Sequence, residues 1–260
     1  TISYSAIELH DPSVFQDPVS GYYYTVASHC LAGYSKDMKS WALVADSGNG
    51  YGANNKLFTK PYQQEFQEVY DYVKPGNANP EGVWAPSIIY SEKAAKYYMY
   101  VTIADGTAQG KCAIVLTSSD KPDGPYKYEK IIVASAMTTE DAHKTNLMDV
   151  LGITDKSKIP PKYTSNDRSY PDCIDATVFY DHTGRLWMVY GSFTCAGGIR
   201  MIQLDPATGD RLKSGEYKDD GTADTIGDKD PYYGIRLANN NGEGPFIMEV
   251  PSKKSSTGYY

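Results

Sequence analysis

The chain has 260 residues and a formal net charge of −7 at neutral pH. This acidic balance argues against nucleic acids and anionic membranes as partners, because both select surfaces rich in Lys and Arg. No run of about 18 apolar residues occurs, so we expect no membrane-spanning helix.

Short strand patterns dominate the chain. They are rich in β-branched and aromatic residues and end at Gly, Pro, Asp or Ser turns. The predicted strands are residues 22–27, 97–103, 112–118, 186–192 and 198–204. Helical periodicity is limited to short pieces near residues 61–72 and 139–151. The chain is therefore predicted to be all-β.

Four segments of the chain repeat one pattern. They are Asp11-Pro-Ser-Val-Phe, Ala85-Pro-Ser-Ile-Ile, Asp175-Ala-Thr-Val-Phe and Gly244-Pro-Phe-Ile-Met, the last preceded directly by Glu243. Their starts lie 74, 90 and 69 residues apart, which are distances typical of repeat units with loop insertions. The first three continue through a polar turn into a Tyr- or Trp-rich strand. Each unit is therefore predicted to be a four-stranded antiparallel blade of a β-propeller.

Three long insertions, roughly residues 42–82, 136–172 and 213–241, separate the predicted blade cores. Each leads into the start of an innermost strand, so we expect the insertions to crowd one face around the axis. Three full units and the opening of a fourth leave sheet edges uncovered. We expect either a fragment or, as the favoured alternative, a ring that a second polypeptide completes.

Three of the repeated segments carry an acid at or next to the same position. Innermost strands of a propeller run beside its axis, so Asp11, Asp175 and Glu243 are expected to point into one axial pocket. Two carboxylates that flank a scissile bond are the usual apparatus of glycoside hydrolysis, one as acid and one as base. A third carboxylate nearby raises the pKa of the acid through repulsion between like charges. The pattern indicates a hydrolytic site, whereas a single Asp-Pro pair is more often only a turn.

The motifs resemble those of glycoside hydrolase family 43. The resemblance implies an inverting five-bladed β-propeller, of which residues 1–260 form one incomplete catalytic domain with about three blades and the start of a fourth. It implies Asp11 as general base, Glu243 as general acid, and Asp175 as the residue that orients the acid and tunes its pKa. The matching segments are His10-Asp11-Pro-Ser, Val83-Trp84-Ala85-Pro-Ser, Cys173-Ile-Asp175-Ala-Thr-Val-Phe and Gly242-Glu243-Gly-Pro-Phe.

A further segment, Tyr190-Gly-Ser-Phe followed by Gly197-Gly-Ile-Arg, looks most like the arabinan-degrading branch of that family. The resemblance implies that Trp84 lines the sugar pocket and that Ser192 and Phe193 lie near the subsites. It implies an extracellular or periplasmic enzyme that cleaves α-1,5-L-arabinan internally. An arabinofuranosidase or β-xylosidase of the same family and a non-catalytic carbohydrate-binding propeller stay open as alternatives.

The resemblance also bears on cofactors. It implies that the chemistry itself requires none. Many arabinanases of the family hold a calcium ion on the axis, and in this protein such an ion is expected to be held mainly by residues outside the chain.

The cysteines and tyrosines each allow two interpretations. The cysteines occur singly, which argues against zinc and thioredoxin-type sites, and they fit either up to two disulfides or buried thiols. The 24 tyrosines fit half-buried strands, where most are expected, and also a stacking surface for sugars. The four cysteines are Cys30, Cys112, Cys173 and Cys195.

Overall fold

The fold consists of three antiparallel sheets connected by short helices and loops, which confirms the all-β prediction. The computed structural model describes residues 7, 9–46, 56–74, 82–107, 110–192, 196–213, 216, 229–239, 242–254 and 258. Each sheet begins at one of the first three repeated segments. The repeat in the sequence is therefore a repeat of sheets in the structure.

The first sheet contains four strands in chain order. They are β1 (Ser13–Gln16), β2 (Tyr23–Val26), β3 (Ala32–Ser35) and β4 (Trp41–Ala45). Each strand pairs antiparallel with the next. Because β4 extends to Ala45, the first insertion begins later than the sequence indicated.

The second sheet also has four strands in chain order, and it lies between the other two. Its two central strands are buried along almost their whole length, which explains their nearly continuous apolar and aromatic sequences. The strands are β5 (Val83–Ser91), β6 (Lys96–Ala104), β7 (Cys112–Ser119) and β8 (Lys127–Ser135).

The third sheet has the order β12-β13-β11-β10-β9. The prediction that residues 213–241 form only an insertion is wrong at its end, because β13 pairs with β11 as the fourth long strand of this sheet. Gly234 opens β13 at a φ of 80°, and a side chain there would collide with the carbonyl oxygen of Met201. The strands are β9 (Thr177–Tyr180), β10 (Leu186–Tyr190), β11 (Ile199–Leu204), β12 (Lys229–Asp230) and β13 (Gly234–Ala238).

The helices are short, and the α-helices lie in the regions where the sequence predicted helical pieces, whereas three of the four 3-10 helices in the described residues lie elsewhere. They are α1 (Tyr62–Glu65), α2 (Gln67–Val73) and α3 (Leu147–Leu151), with 3-10 helices at Ser28–Cys30, Ala142–Lys144, Lys156–Lys158 and Pro161–Tyr163. None of the helices in the described ranges has the length and apolar character needed to span a membrane.

Strand β5 lies between β1 and β9 and contacts both, so the first strands of the three sheets are neighbours. The fourth repeated segment, residues 244–250, runs alongside β9 in space. Its first residue places the Gly244 N–H near the Asp175 carboxylate. Farther along, Glu249 accepts hydrogen bonds from the backbone N–H and ring Nδ1 of His182 at 2.6 and 2.9 Å. It forms no sheet with the described strands, although its exposure alternates residue by residue. The strand predicted from Gly258 onward lies almost entirely outside the described residues.

Buried tyrosine hydroxyl groups connect neighbouring elements. Each of the following donates a hydrogen bond to a backbone carbonyl: Tyr62 to His29, Tyr72 to Ser135, Tyr98 to Ala207, Tyr100 to Gly209, Tyr126 to Pro122 and Tyr190 to Tyr233. Tyr98, Tyr100 and Tyr190 lie in strands as expected, whereas Tyr62 and Tyr72 lie in helices and Tyr126 lies just before β8.

Three of the four cysteines are buried thiols outside any disulfide, namely Cys30, Cys112 and Cys173. Burial raises the pKa of the Cys30 thiol to about 12, so this side chain behaves as a packing residue. Cys195 lies outside the described residues.

Candidate active site

The residues that open the four repeated segments share an unusual backbone conformation. Asp11, Ala85, Asp175 and Gly244 have φ angles of 50°, 38°, 57° and 59°. Non-glycine residues rarely adopt this left-handed region, and strained backbone of this kind clusters at functional sites. The chain thus turns in the same way at the entrance of every innermost segment.

These entrances line one cavity of about 850 Å³. Asp11, Asp175 and Glu243 all contribute to its wall, together with His10 and side chains of β1, β5 and β9. The structure therefore brings the three predicted acids together, although they are far apart along the chain.

The Asp11 side chain is 49% exposed, and two groups contact one of its oxygens. The Ser28 hydroxyl donates to Oδ2 at 3.0 Å, and His10 Nδ1 lies 3.1 Å from the same atom. A half-exposed carboxylate with one oxygen fixed can accept a proton from a water molecule in the cavity.

Asp175 is anchored through its backbone, whose N–H donates to Thr102 Oγ1 in β6 at 3.2 Å. Its carboxylate lies near the N–H of Gly244, the residue that follows Glu243. Asp175 is therefore placed beside the segment that carries the third acid.

Burial is the main reason that the pKa of Asp175 rises from 3.8 to about 6. The nearby N–H of Gly244 acts in the opposite direction. The negative charges of Asp11, Glu243 and Asp172 make smaller contributions to the rise. A carboxyl group that changes its protonation state near pH 6 is characteristic of acid–base sites.

A second, smaller cavity of about 180 Å³ adjoins the first, because Glu243 and Ile174 line both. Trp84 at the start of β5 and the buried Ser192 after β10 also line it. Two of the three residues predicted to bind sugar thus lie in one cavity next to Glu243. Phe193 lies outside the described residues.

Sequence reasoning missed two polar residues of this region. Asp172 is 4% exposed and lines the smaller cavity, and its position three residues before Asp175 in the same motif was an available signal. Ser28 is 1% exposed and contacts Asp11, but no spacing or motif pointed to it.

Across the described ranges, no group of three or more His, Cys, Asp or Glu side chains is arranged to hold a metal ion. The axial calcium ion stays a prediction, and no step proposed below depends on it.

Comparison with known proteins gives matches over nearly the whole chain. The chain is 31% identical over 255 residues to an extracellular endo-α-(1→5)-L-arabinanase from Thermotoga petrophila, which covers 97% of the chain and 44% of that protein. No protein-family model matches the chain.

Two solved structures are also similar. An endo-1,5-α-L-arabinanase from Thermotoga petrophila superimposes with a TM-score of 0.70 and 28% identity, covering 96% of this chain and 47% of the other. A family 43 glycoside hydrolase from Bacillus licheniformis gives a TM-score of 0.66 and 26% identity, covering 91% of this chain and 43% of the other. The chain thus spans less than half the length of each of these relatives. Over that span, the resemblance to the arabinanases of glycoside hydrolase family 43 predicted from four short motifs is confirmed.

Proposed function

We propose that the protein carrying this chain is an extracellular, inverting glycoside hydrolase that cleaves α-1,5-L-arabinan internally. The observation that carries the proposal is the meeting of Asp11, Asp175 and Glu243 at one cavity. The substrate and the location are supported by the similarity to a protein named an extracellular endo-arabinanase. A periplasmic location stays an alternative.

In the proposed reaction Asp11 acts as general base. It takes one proton from a water molecule, whose oxygen bonds to the anomeric carbon from the side opposite the leaving group. Glu243 acts as general acid and donates one proton to the glycosidic oxygen as the bond between that oxygen and the anomeric carbon breaks. One water molecule is consumed, and the two acids return to their starting states after proton exchange with solvent.

Asp175 has a positioning role in this proposal. Its carboxylate lies near the Gly244 N–H, and we propose that it orients the neighbouring Glu243 side chain through this segment. Its negative charge, when present, also favours the protonated form of a nearby acid.

The smaller cavity is proposed to hold one sugar unit next to the scissile bond. Trp84 supplies a ring face or edge, and Ser192 supplies a hydroxyl group. We propose that Phe193 belongs to the same subsite, as the resemblance implies.

We further propose that residues 1–260 form one incomplete domain of a five-bladed β-propeller, with three blades and the start of a fourth, and that a second polypeptide completes the ring. Two four-stranded sheets and one five-stranded sheet, whose first strands lie next to one another, support this architecture, as do relatives about twice as long. Apolar side chains on the segment 244–250 support it as well, since Phe246, Met248 and Val250 are 72%, 66% and 47% exposed.

The test is turnover of linear α-1,5-arabinan by the complete protein, compared with the variants Asp11→Asn and Glu243→Gln. Each substitution removes a proton-transfer group while keeping the side-chain volume, so we expect kcat to fall by about 10²- to 10⁴-fold. Binding of arabino-oligosaccharides should persist in both variants.

Two outcomes would contradict the proposal in different ways. Sugar binding with no turnover in the unmodified protein would favour the carbohydrate-binding alternative. Faster release of products from xylan than from arabinan would keep the reaction type but overturn the substrate.

A further inference from the structure

A buried hydroxyl group joins Asp11 to the second sheet. Ser28 opens the 3-10 helix Ser28–Cys30, is 1% exposed, and donates its backbone N–H to the carbonyl oxygen of His10 at 2.9 Å. Its Oγ lies 3.0 Å from Asp11 Oδ2 and 3.0 Å from the backbone N of Ala85. One side chain thus contacts two of the four left-handed residues at the cavity entrance.

The chemistry of the two partners fixes the direction of both hydrogen bonds. The Ala85 N–H can only donate, so it occupies a lone pair of Ser28 Oγ. An ionised Asp11 can only accept, so it receives the single hydroxyl proton. This hydrogen bond is charge-assisted, and it strengthens when Asp11 is ionised.

Both contacts recorded for the Asp11 carboxylate within the described part of the chain end on Oδ2. The other oxygen, Oδ1, is thereby the one available to a water molecule in the cavity. Rotation of the carboxylate would exchange the two oxygens, and the Ser28 hydroxyl opposes this rotation because it is held in turn by the second sheet.

We propose that Ser28 is a positioning residue that fixes the orientation of the Asp11 carboxylate and directs Oδ1 toward the attacking water. The proposal rests on the proposed function, because it takes Asp11 as the general base. Ser28 touches neither sugar nor water in this account and acts only through Asp11.

Other ionisable groups also act on Asp11, and they define the background of any test. His10 lies against the same oxygen, while Asp175 and Glu243 face Asp11 across the cavity. Protonated His10 favours the ionised form of Asp11, whereas the two carboxylates oppose it. Removal of the Ser28 hydroxyl leaves these groups in place, so it separates the effect of this hydrogen-bond donor on Asp11 from theirs.

The test is arabinan hydrolysis by the complete protein with Ser28→Ala. We expect kcat to fall by about 10- to 100-fold, less than for Asp11→Asn, with KM changed by less than about twofold. The acidic limb of the pH profile of kcat/KM should move to higher pH, because a hydrogen bond to the charged form has been lost.

Ser135→Ala is the matched control. Ser135 is also fully buried and its hydroxyl accepts a backbone N–H from a neighbouring segment, that of Cys173 at 3.1 Å, but it does not contact Asp11. This variant should lose a similar amount of stability while keeping its kcat and pH profile. If Ser28→Ala does not fold, Ser28→Cys keeps the volume, weakens the donor, and should show the same kinetic changes at reduced size.

A double variant separates positioning from a general loss of structure. In the Asp11→Asn background, Ser28→Ala should cost nothing further in kcat, because Ser28 acts only through the ionised carboxylate. An additional loss in that background, or a Ser28→Ala variant that behaves like Ser135→Ala, overturns the proposal. An unaltered kcat for Asp11→Asn alone instead overturns the proposed function.

Discussion

At the scale of single residues, Asp175 combines burial, repulsion and a nearby backbone donor. Burial is the main cause of its pKa of about 6, and nearby carboxylates contribute to the rise. The Gly244 N–H close to the same side chain favours the charged form. The ionised carboxylate therefore weakens the fold at neutral pH.

Asp175→Asn is expected to stabilise the protein at pH 8 and to have little effect at pH 4. As pH rises from 4 to 6, the unfolded chain releases this proton before the folded chain does, so ionisation favours unfolding. The full loss of stability is reached above about pH 6. A pKa raised from 3.8 to about 6 corresponds to a loss of about 3 kcal/mol in the free energy of unfolding. Urea denaturation of both proteins at pH 4 and pH 8 measures this difference.

Asp120→Asn is the control, because the Asp120 side chain is 85% exposed. This substitution should change the free energy of unfolding by less than about 0.5 kcal/mol. Loss of stability at pH 8 in Asp175→Asn would show that the charged form is required for folding.

Trp84 offers a second prediction at this scale. Trp84→Ala should raise KM for arabino-oligosaccharides about three- to tenfold, because it removes a ring face from the cavity beside Glu243. Trp84→Phe keeps an aromatic surface, so its KM should lie between that of the unmodified protein and that of Trp84→Ala. Initial rates over a range of substrate concentrations provide the comparison, and an unchanged KM for Trp84→Ala would remove this residue from the subsite.

The sequence predicted the site residues that occupy equivalent positions of the repeated segments, because equivalent positions come together when the units pack side by side. Asp11, Asp175 and Glu243 belong to this class. Ser28 does not, since its contact with Asp11 depends on how a loop of the first sheet packs against β5. Asp172 carried a signal in its motif, but its burial depends on the packing of the second insertion.

At the scale of elements, tyrosine hydroxyl groups connect the sheets. Tyr98 and Tyr100 in β6 donate to the carbonyl oxygens of Ala207 and Gly209 in the turn after β11. Tyr97 in the same strand donates to Asp17 after β1 at 2.8 Å. One strand of the second sheet therefore contacts both neighbouring sheets through its hydroxyl groups.

Tyr100→Phe should lower the free energy of unfolding by about 1 to 2 kcal/mol, because the buried carbonyl of Gly209 loses its donor while the ring is kept. Tyr34→Phe is the control, since Tyr34 is only half-buried and its ring stacks on Tyr22. Chemical denaturation measures both variants. Equal effects of the two substitutions would show that this bond does not contribute to the joining of the sheets.

Strand positions could be predicted closely because aromatic and β-branched runs end at Gly, Pro and Asp turns. The exceptions are β4 (Trp41–Ala45), which overlaps the predicted first insertion, and β13 (Gly234–Ala238), whose short sequence follows a long polar stretch within the predicted third insertion. The place of β13 in the third sheet depends on pairing with β11, and such long-range pairing leaves little local signal.

At the scale of the whole molecule, the segment 244–250 presents an apolar surface beside β9. Phe246 and Met248 are among its most exposed side chains. If a second polypeptide completes the ring, this surface is covered in the protein as it occurs. A cysteine introduced by Phe246→Cys should then react with a maleimide at least about tenfold more slowly than one introduced by Val19→Cys in the exposed β1–β2 turn. Equal reaction rates would contradict completion of the ring at this edge.

The stereochemistry of the first product tests the central claim most directly, because only a pair of carboxylates with a water molecule between them inverts the anomeric carbon in one step. Proton NMR of the complete protein acting on α-1,5-arabino-oligosaccharides should show the β-anomer of the new reducing end first, with the α-anomer following by mutarotation. First appearance of the α-anomer would contradict the roles assigned to Asp11 and Glu243.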